Sequence, residues 1–231
     1  MHKISLVIPI YNEESNIKKL FDEIINTNIY QLVNNIIFVD DCSKDQSSNL
    51  LKIIQESYTK VHILTHSFKC GQSECLKTAA HYTSDKSIVT MDGDGQNNPK
   101  DIPKLLDKYF SRKDIYLVGG IRNKRKDSII KILTSVIANR FRMLILKDDC
   151  IDTGCSLKVF DKEIFLSFPF FNGIHRFLPT LFIGFGHKVK YMPVSHRPRL
   201  SGFSKYGTLD RLFVGIRDIM KVRKIIINIK K

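Results

Sequence analysis

The residues best placed to do chemistry in this chain are two aspartates one residue apart, in the stretch VTMDGDGQNNP (89–99). Asp92 and Asp94 close an apolar, β-branched run, and on an extended chain they point the same way. Two carboxylates that close repel, and they do not ionise together unless a cation sits between them. Hard oxygen ligands suit Mg²⁺ or Mn²⁺, ions that usually share their shell with substrate phosphates. Gly93 and Gly95 let the backbone come close to a ligand, and Gln96 offers a further oxygen. The same letters, DGDGQNNP, also have the make-up of a plain Asp/Gly turn. A second acidic pair, Asp40 and Asp41, ends the neighbouring apolar run NIIFVDD and moves the reading toward a metal.

Carboxylates at strand ends need a scaffold that brings those ends together. The first 120 residues alternate short apolar runs with segments whose apolar residues recur at helical spacing. KISLVIPI reads as a strand, and ESNIKKLFDEIINT as a helix with Ile17, Leu20, Phe21, Ile24 and Ile25 at that spacing. NIIFVDD, KVHILTH, KSIVTMD and DIYLVGGI read as further strands. Helices fall around QSSNLLKIIQES, QSECLKTAAHYTS and from Asp101 onward. This alternation predicts an α/β fold, Rossmann-like, with a mostly parallel central sheet and helices on both faces. Ligands of such sheets bind beyond the carboxyl ends of the strands. Here those ends carry PIYNE (9–13), Asp40 and Asp41, His66, Asp92 to Asp94, and Gly119 to Arg122. Acidic groups gather where the site is expected.

The second half differs. DSIIKILTSVIANRFRMLIL reads as a helix containing Lys131, Asn139, Arg140 and Arg142, and DTGCSLKVF as a return strand. Residues 165–185 hold seven of the fifteen phenylalanines. HKVKYMPVSHRPR reads as a strand and a polar loop. LSGFSKYG, with its Gly and Ser, is expected to move. From Thr208 on, the pattern is helical. With no repeat and no low-complexity linker, the expectation is one catalytic domain over 1–207 and a basic amphipathic helix over 208–231.

The chain of 231 residues is long enough for one large α/β domain with a proper core. Its net charge of +14 calls for a polyanionic partner: nucleic acid, anionic lipid or a phosphorylated substrate. From Arg199 to Lys231 there are nine basic residues and two acidic ones, so half of that charge lies near the end. The opening apolar run is too short for a signal peptide and is broken by Pro9. No charge-free apolar stretch nears the ~18 residues of a membrane span. A cytoplasmic location is therefore expected. The five cysteines lack zinc-knuckle spacing and read as free thiols.

Five motifs, VIPIYNEESNI, IFVDDCSKD, GQSECLKTAA, MDGDGQNNPKDIP and DTGCSLKVF, fall in an order that resembles the inverting family 2 glycosyltransferases of GT-A fold. HRFLP and HRPRLSGFSKYG narrow the resemblance to the branch that makes polyprenyl-phosphate sugars. That branch includes dolichol-phosphate mannosyltransferases and undecaprenyl-phosphate aminoarabinose-type transferases. The resemblance covers nearly the whole chain. It implies that Pro9, Tyr11, Glu13, Asp40 and Asp92 bind a nucleotide sugar, with Asp40 reaching the base or ribose. It implies that Asp92, Asp94 and Gln96 hold Mg²⁺ or Mn²⁺ on the donor diphosphate. Arg199 and Lys205 would close over the phosphates. Arg122, Lys131 and Ser135 would hold the acceptor phosphate. Lys131 stands where relatives often have Arg, which keeps the charge and loses the bidentate fork. Asp152 matches the acidic position read as catalytic base or orienter, and is otherwise a turn or cap aspartate. His175 and Arg176 would touch the acceptor or the closing loop, or serve packing. Asn139 and Arg140 read as structural.

The expected reaction is inverting transfer of a sugar from a UDP- or GDP-sugar to a polyprenyl phosphate at the cytoplasmic membrane face, in envelope glycolipid synthesis. The nearest alternative is a family 2 enzyme acting on a saccharide or lipid hydroxyl. A basic nucleic-acid-binding protein is the alternative of another class; no nucleic-acid module is recognisable, and the acidic strand ends would go unexplained. Many relatives continue into transmembrane helices. This chain is expected to bind the anionic membrane surface peripherally, or to be held there by a separate integral membrane protein. Its tail carries Leu209, Leu212, Phe213, Ile216, Ile219, Met220, Ile226 and Ile227 on one side, which suits an in-plane interfacial helix or a helix packed on its own core.

Overall fold

In the strand β1 (Ile4–Ile10) nearly every residue is buried, because the strand lies mid-sheet and is covered on both faces. A computed structural model describes residues 3–122, 140–198 and 208–229, the last with side chains from 215 on. After β1 come α1 (Glu14–Asn26), the short α2 (Ile29–Leu32), β2 (Asn35–Asp40), α3 (Ser47–Ser57), β3 (Val61–Thr65), α4 (Gln72–Tyr82) and β4 (Ser87–Thr90). Then follow α5 (Ile102–Phe110), β5 (Ile115–Arg122), a helical stretch α6 (140–146), β6 (Lys158–Asp161), α7 (Lys162–Ser167), α8 (Leu178–Gly184), β7 (Lys188–Val194) and α9 (Thr208–Ile229).

The seven strands among the described residues form one sheet in the order β3-β2-β1-β4-β6-β5-β7. Four of the six neighbouring pairs are parallel, and β6 runs antiparallel to both β4 and β5. The chain thus has the α/β architecture read from its sequence. Because β2 lies on one side of β1 and β4 on the other, a crevice opens where the strand order reverses. Register aligns the ends: Ile10 faces Asp40, and Val7 faces Thr90. Residues 11, 41 and 92 therefore emerge along the same edge.

Two cores flank the sheet. Leu20, Phe21 and Ile24 of α1, Leu51 of α3 and Leu105 of α5 pack on one face. On the other lie Leu76 and Ala79 of α4 with the phenylalanine-rich stretch, including Phe165, Phe168, Phe177 and Phe182. Ring centroids of Phe168 and Phe182 are 5.1 Å apart, edge to face. Most of the aromatic richness of 165–185 is thus core packing, while Phe170 is exposed.

The tail helix α9 divides its apolar residues between two tasks. Ile219 and Val222 are buried in the second core, and Ile226 packs on α8 at Gly184. A Cβ at Gly184 would lie 2.6 Å from Ile226, so glycine is what allows the close approach. Ile216, Met220 and Ile227 face outward. Asp218 is buried and bonds Arg176 at 2.6 Å. The expected single apolar face is thus split; the side chains of Leu209, Leu212 and Phe213 lie outside the described residues. All five cysteines are free thiols.

Candidate active site

The crevice at the ends of β1, β2 and β4 is a cleft of about 240 Å³. Pro9, Tyr11, Glu13, Asp41, Lys69, Gly71, Gln72, Cys75, Asp92, Gly93 and Asp94 line it. Of the predicted nucleotide-binding residues, Pro9, Tyr11, Glu13 and Asp92 are therefore brought together.

Asp40 is not among them. Its side chain is fully buried, accepting a bond from the Ser43 N–H at 3.0 Å and another from the Ser48 hydroxyl. It ties the turn after β2 to α3. Asp41 faces the cleft in its place. Asp41 accepts from the backbone N–H groups of Cys70 at 2.7 Å and Gly71 at 2.8 Å, and from His66 Nδ1 at 2.9 Å. Burial works against the Asp41 charge, but the bonds from His66, Cys70 and Gly71 overcome it and hold its pKa below the usual carboxylate value. Gly71 has φ +90°, a conformation side-chain-bearing residues rarely adopt, and this turns its N–H toward Asp41. Across the cleft the Lys69 ammonium sits 3.9 Å from the centre of the Tyr11 ring.

Asp92 and Asp94 come together as expected. The Asp92 N–H is bonded to Asn97 Oδ1 at 2.9 Å, and Asp94 Oδ1 accepts from the Gln96 N–H at 3.0 Å. Gln72, the first residue of α4, donates to Asp92 Oδ1 at 2.8 Å. Gly93 is required here: a Cβ would stand 2.5 Å from Ile10 Cδ1 and 3.1 Å from the Pro9 carbonyl. Burial pushes the Asp92 pKa up, and the Asp94 charge pushes it further, against bonds from Ser156 and Gln72 and the charge of Lys158. A pair of carboxylates packed this way is short of positive charge, which fits a divalent cation bound by oxygen ligands. Gln96 is not brought into this set. Its side-chain amide points to the Arg197 carbonyl at 3.5 Å.

Beside the cleft, Asp152 grips Arg122 with both oxygens, at 2.8 Å to Nε and 2.7 Å to Nη2, and also accepts from the Arg122 N–H at 3.1 Å. Burial opposes the guanidinium charge, but Asp152 more than offsets it, and the Arg122 pKa is raised. Gly154 makes room, since a Cβ there would lie 2.7 Å from Arg122 Nη2. Asp152 is thereby an orienter of Arg122 in this geometry. Lys131, Ser135, Asn139, Arg199 and Lys205 lie outside the described residues.

His175 and Arg176 are both engaged within the fold, Arg176 by Asp218 at 2.6 Å. The Ser73 hydroxyl accepts from the Gly173 N–H at 2.8 Å and bonds His175 Nδ1 at 2.7 Å. Burial, with the charges of Arg176 and Lys158, lowers the His175 pKa to about 3, so the ring is neutral. Arg140 is an exposed position of α6. Three site features escaped the sequence reading. Lys158 is a buried cation on β6, hydrogen-bonded to the Cys155 carbonyl, whose charge reaches Asp92. Gln72 could have been found from its place at the start of a helix after a strand end. Arg197 forms a bidentate pair with Glu23 at 2.9 and 2.7 Å, and its N–H bonds the Gln96 carbonyl at 3.0 Å. It fixes the segment before Arg199 to the loop of Asp92 and Asp94, and no local motif announces it.

Residues 5–167 match the family model described as Glycosyl transferase family 2. The chain belongs to this family. Among its relatives, this glycosyl transferase is 32% identical over 225 residues to the dodecaprenyl-phosphate galacturonate synthase of Rhizobium johnstonii, covering 95% of this chain and 66% of the relative. It is 30% identical over 213 residues to the undecaprenyl-phosphate 4-deoxy-4-formamido-L-arabinose transferase of an Enterobacter strain, covering 90% of this chain and 63% of the relative. The chain thus spans somewhat less than two thirds of the length of these curated relatives. Among solved structures it is similar to glucosyl-3-phosphoglycerate synthase of Mycobacterium tuberculosis in complex with Mn²⁺, UDP and phosphoglyceric acid. The TM-score is 0.69 at 19% identity, over 96% of this chain and 77% of that one. That likeness places the fold among the GT-A glycosyltransferases.

Proposed function

We propose that this glycosyl transferase moves a sugar from a nucleoside-diphosphate sugar to a polyprenyl phosphate, with inversion at the anomeric carbon. The observation that carries the reading is one cleft in which Asp41 faces the Asp92–Asp94 pair, with Arg122 held beside it by Asp152. The names of the relatives, both polyprenyl-phosphate enzymes, support the choice of acceptor.

Each residue has a task in this reading. Asp41, kept ionised by His66 and two backbone N–H groups, accepts from an N–H of the base or a ribose hydroxyl. Tyr11 and Lys69 wall the same end. Asp92 and Asp94 would hold Mg²⁺ or Mn²⁺, which when bound neutralises the charge developing on the leaving nucleoside diphosphate. Gln72 keeps Asp92 aimed. Asp152 uses the Nε and Nη2 side of Arg122, leaving Nη1 to receive the acceptor phosphate, with Lys131 and Ser135 as further partners. That phosphate is already anionic near neutral pH, so Asp152 need not act as a base. Arg199 and Lys205 supply further positive charge to the donor phosphates.

The isoprenoid keeps the acceptor in a bilayer, so the enzyme works at the cytoplasmic membrane face. Among the described residues no helix is long and apolar enough to cross a membrane. Outward-facing Phe141 and Leu144 on α6 and Ile216, Met220 and Ile227 on α9 support peripheral docking. A separate integral membrane protein is the other means of holding it there. A panel of UDP- and GDP-sugars incubated with Mn²⁺ or Mg²⁺ and a short polyprenyl phosphate tests the reading. Transfer from at least one donor, abolished by chelator, is expected; transfer only to hydroxyl acceptors would replace it.

A further inference from the structure

A second cavity, of about 300 Å³, lies between α6, α8 and α9 and shares no lining residue with the donor cleft. Its walls include Ile145, Ile183, Ile226 and Ile227, and two cations, Lys147 and Arg223, stand among them. Neither cation has an ion pair or side-chain hydrogen bond among the described residues. The nearest acids in the chain are engaged elsewhere: Asp148 with Arg142 at 2.6 Å, and Asp149 with the Tyr191 hydroxyl at 3.3 Å. Lys147 ends α6 with φ +53°, where glycine or asparagine would be less strained, so a lysine is held there at a cost.

The surroundings indicate what the cavity faces. Ile216, Met220, Arg223 and Ile227 fall at steps of four, three and four, one stripe of α9, and their side chains are exposed. Leu144, one helical turn before Lys147, is 80% exposed. An apolar crevice with two cations that have no ion-pair partner among the described residues, opening on an exposed apolar stripe, is complementary to an amphiphile with an anionic head and an apolar chain.

We infer that this crevice is a binding site for one anionic glycerophospholipid of the bilayer, its phosphate between Lys147 and Arg223 and an acyl chain against the isoleucines. The inference rests on the proposed function only for placing the enzyme at a membrane. The separate lining of the two cavities favours a bilayer phospholipid over the acceptor, whose phosphate must reach the donor cleft.

The test is a calorimetric titration of the full chain, without nucleotide, using dioctanoyl phosphatidylglycerol below its micelle concentration. One lipid per chain is expected, with dioctanoyl phosphatidylcholine binding at least tenfold more weakly. Lys147→Gln/Arg223→Gln should weaken the anionic lipid at least tenfold. Lys221→Gln/Lys224→Gln, which removes equal charge from α9 outside the crevice, should not. Arg223→Gln alone keeps the test open if the double variant does not fold. No saturable binding, or equal weakening by both pairs, overturns the site. Tighter binding of farnesyl phosphate at the same place also overturns it, giving the crevice to the acceptor. Lipid binding without sugar transfer would instead overturn the proposed function alone, and transfer without lipid binding this inference alone.

Discussion

Asp152 holds Arg122 by a two-pronged bond, 2.8 Å to Nε and 2.7 Å to Nη2, at the edge of the acidic cleft. A carboxylate with both oxygens engaged by a guanidinium is a poor proton acceptor and a good clamp. Its use is to fix the direction of Arg122. Asp152→Asn keeps the size and loses the charge-assisted fork. Turnover should fall by about 10²-fold, the scale of a misplaced binding group. The pH–rate profile should keep its shape. A variant whose acidic limb disappears would make Asp152 the base after all.

Asp92 and Asp94 crowd two negative charges into a buried space, and burial already pushes Asp92 toward its protonated form. Neutral Asn at either position removes that repulsion. Asp92→Asn and Asp94→Asn should therefore melt within a few degrees of the parent or above it, while transfer falls at least 10³-fold. Calorimetry with Mn²⁺ should show lost metal binding in both. Normal turnover in excess chelator would count against the metal role.

The strands, the mostly parallel sheet and the Asp92–Asp94 pair at a strand end were legible from apolar runs ending in acids; the order of the strands was not. Which aspartate of Asp40 and Asp41 faces the cleft was not legible either. Side chains on a strand alternate, so adjacent residues point to opposite sides, and the choice turns on partners. Ser43 and Ser48 claim Asp40, whereas His66 and Gly71 claim Asp41, and those contacts join β2 to β3 and to the loop before α4. His66 at the next strand end was the available signal. The split of α9 was hidden for a similar reason: a helix with apolar residues around more than half its girth does not say which of them meet α8.

Asp41 gives a pH test of its assignment. Its folded pKa lies below the ordinary carboxylate value, because three donors favour the charged form. The unfolded chain then binds the proton more readily, so the stabilisation is complete above the ordinary carboxylate range and is lost as pH falls through the folded value. Asp41→Asn should lower the melting temperature at pH 7, and the gap to the parent should begin to narrow as pH falls below about 4, the ordinary carboxylate value. Nucleotide binding should fall at least tenfold at pH 7. Equal gaps at pH 7 and pH 3 would show that the bonds do not depend on charge.

Gly93 is where the loop of Asp92 and Asp94 passes over β1. Gly93→Ala would put a methyl 2.5 Å from Ile10 Cδ1 and 3.1 Å from the Pro9 carbonyl. The side chain of Ile10 can yield, but the backbone oxygen can do so only by moving β1. Overpacking of this kind costs about 1–3 kcal/mol. Chemical denaturation should show that loss together with weaker nucleotide-sugar binding, since Pro9 and Asp92 line the same cleft. An unchanged midpoint would mean that the two strand ends are free to part.

The tail helix carries the last prediction, because its two sides should fail differently. Val222 and Ile219 are buried against the second core, and Asp218 is held by Arg176 at 2.6 Å. Val222→Ala should therefore destabilise the whole domain by about 1–3 kcal/mol, the cost of vacating a buried aliphatic site. Ile216→Gln/Met220→Gln alters exposed side chains, so stability should stay within about 0.5 kcal/mol. That pair should instead weaken sedimentation with anionic vesicles severalfold, through loss of apolar contact with the interface. Removing everything after Arg217 confounds the two effects, since it strips core residues along with the exposed stripe. If the double Gln variant sediments like its parent, α9 is a packing element only, and α6 or a membrane protein partner must hold the enzyme at its lipid.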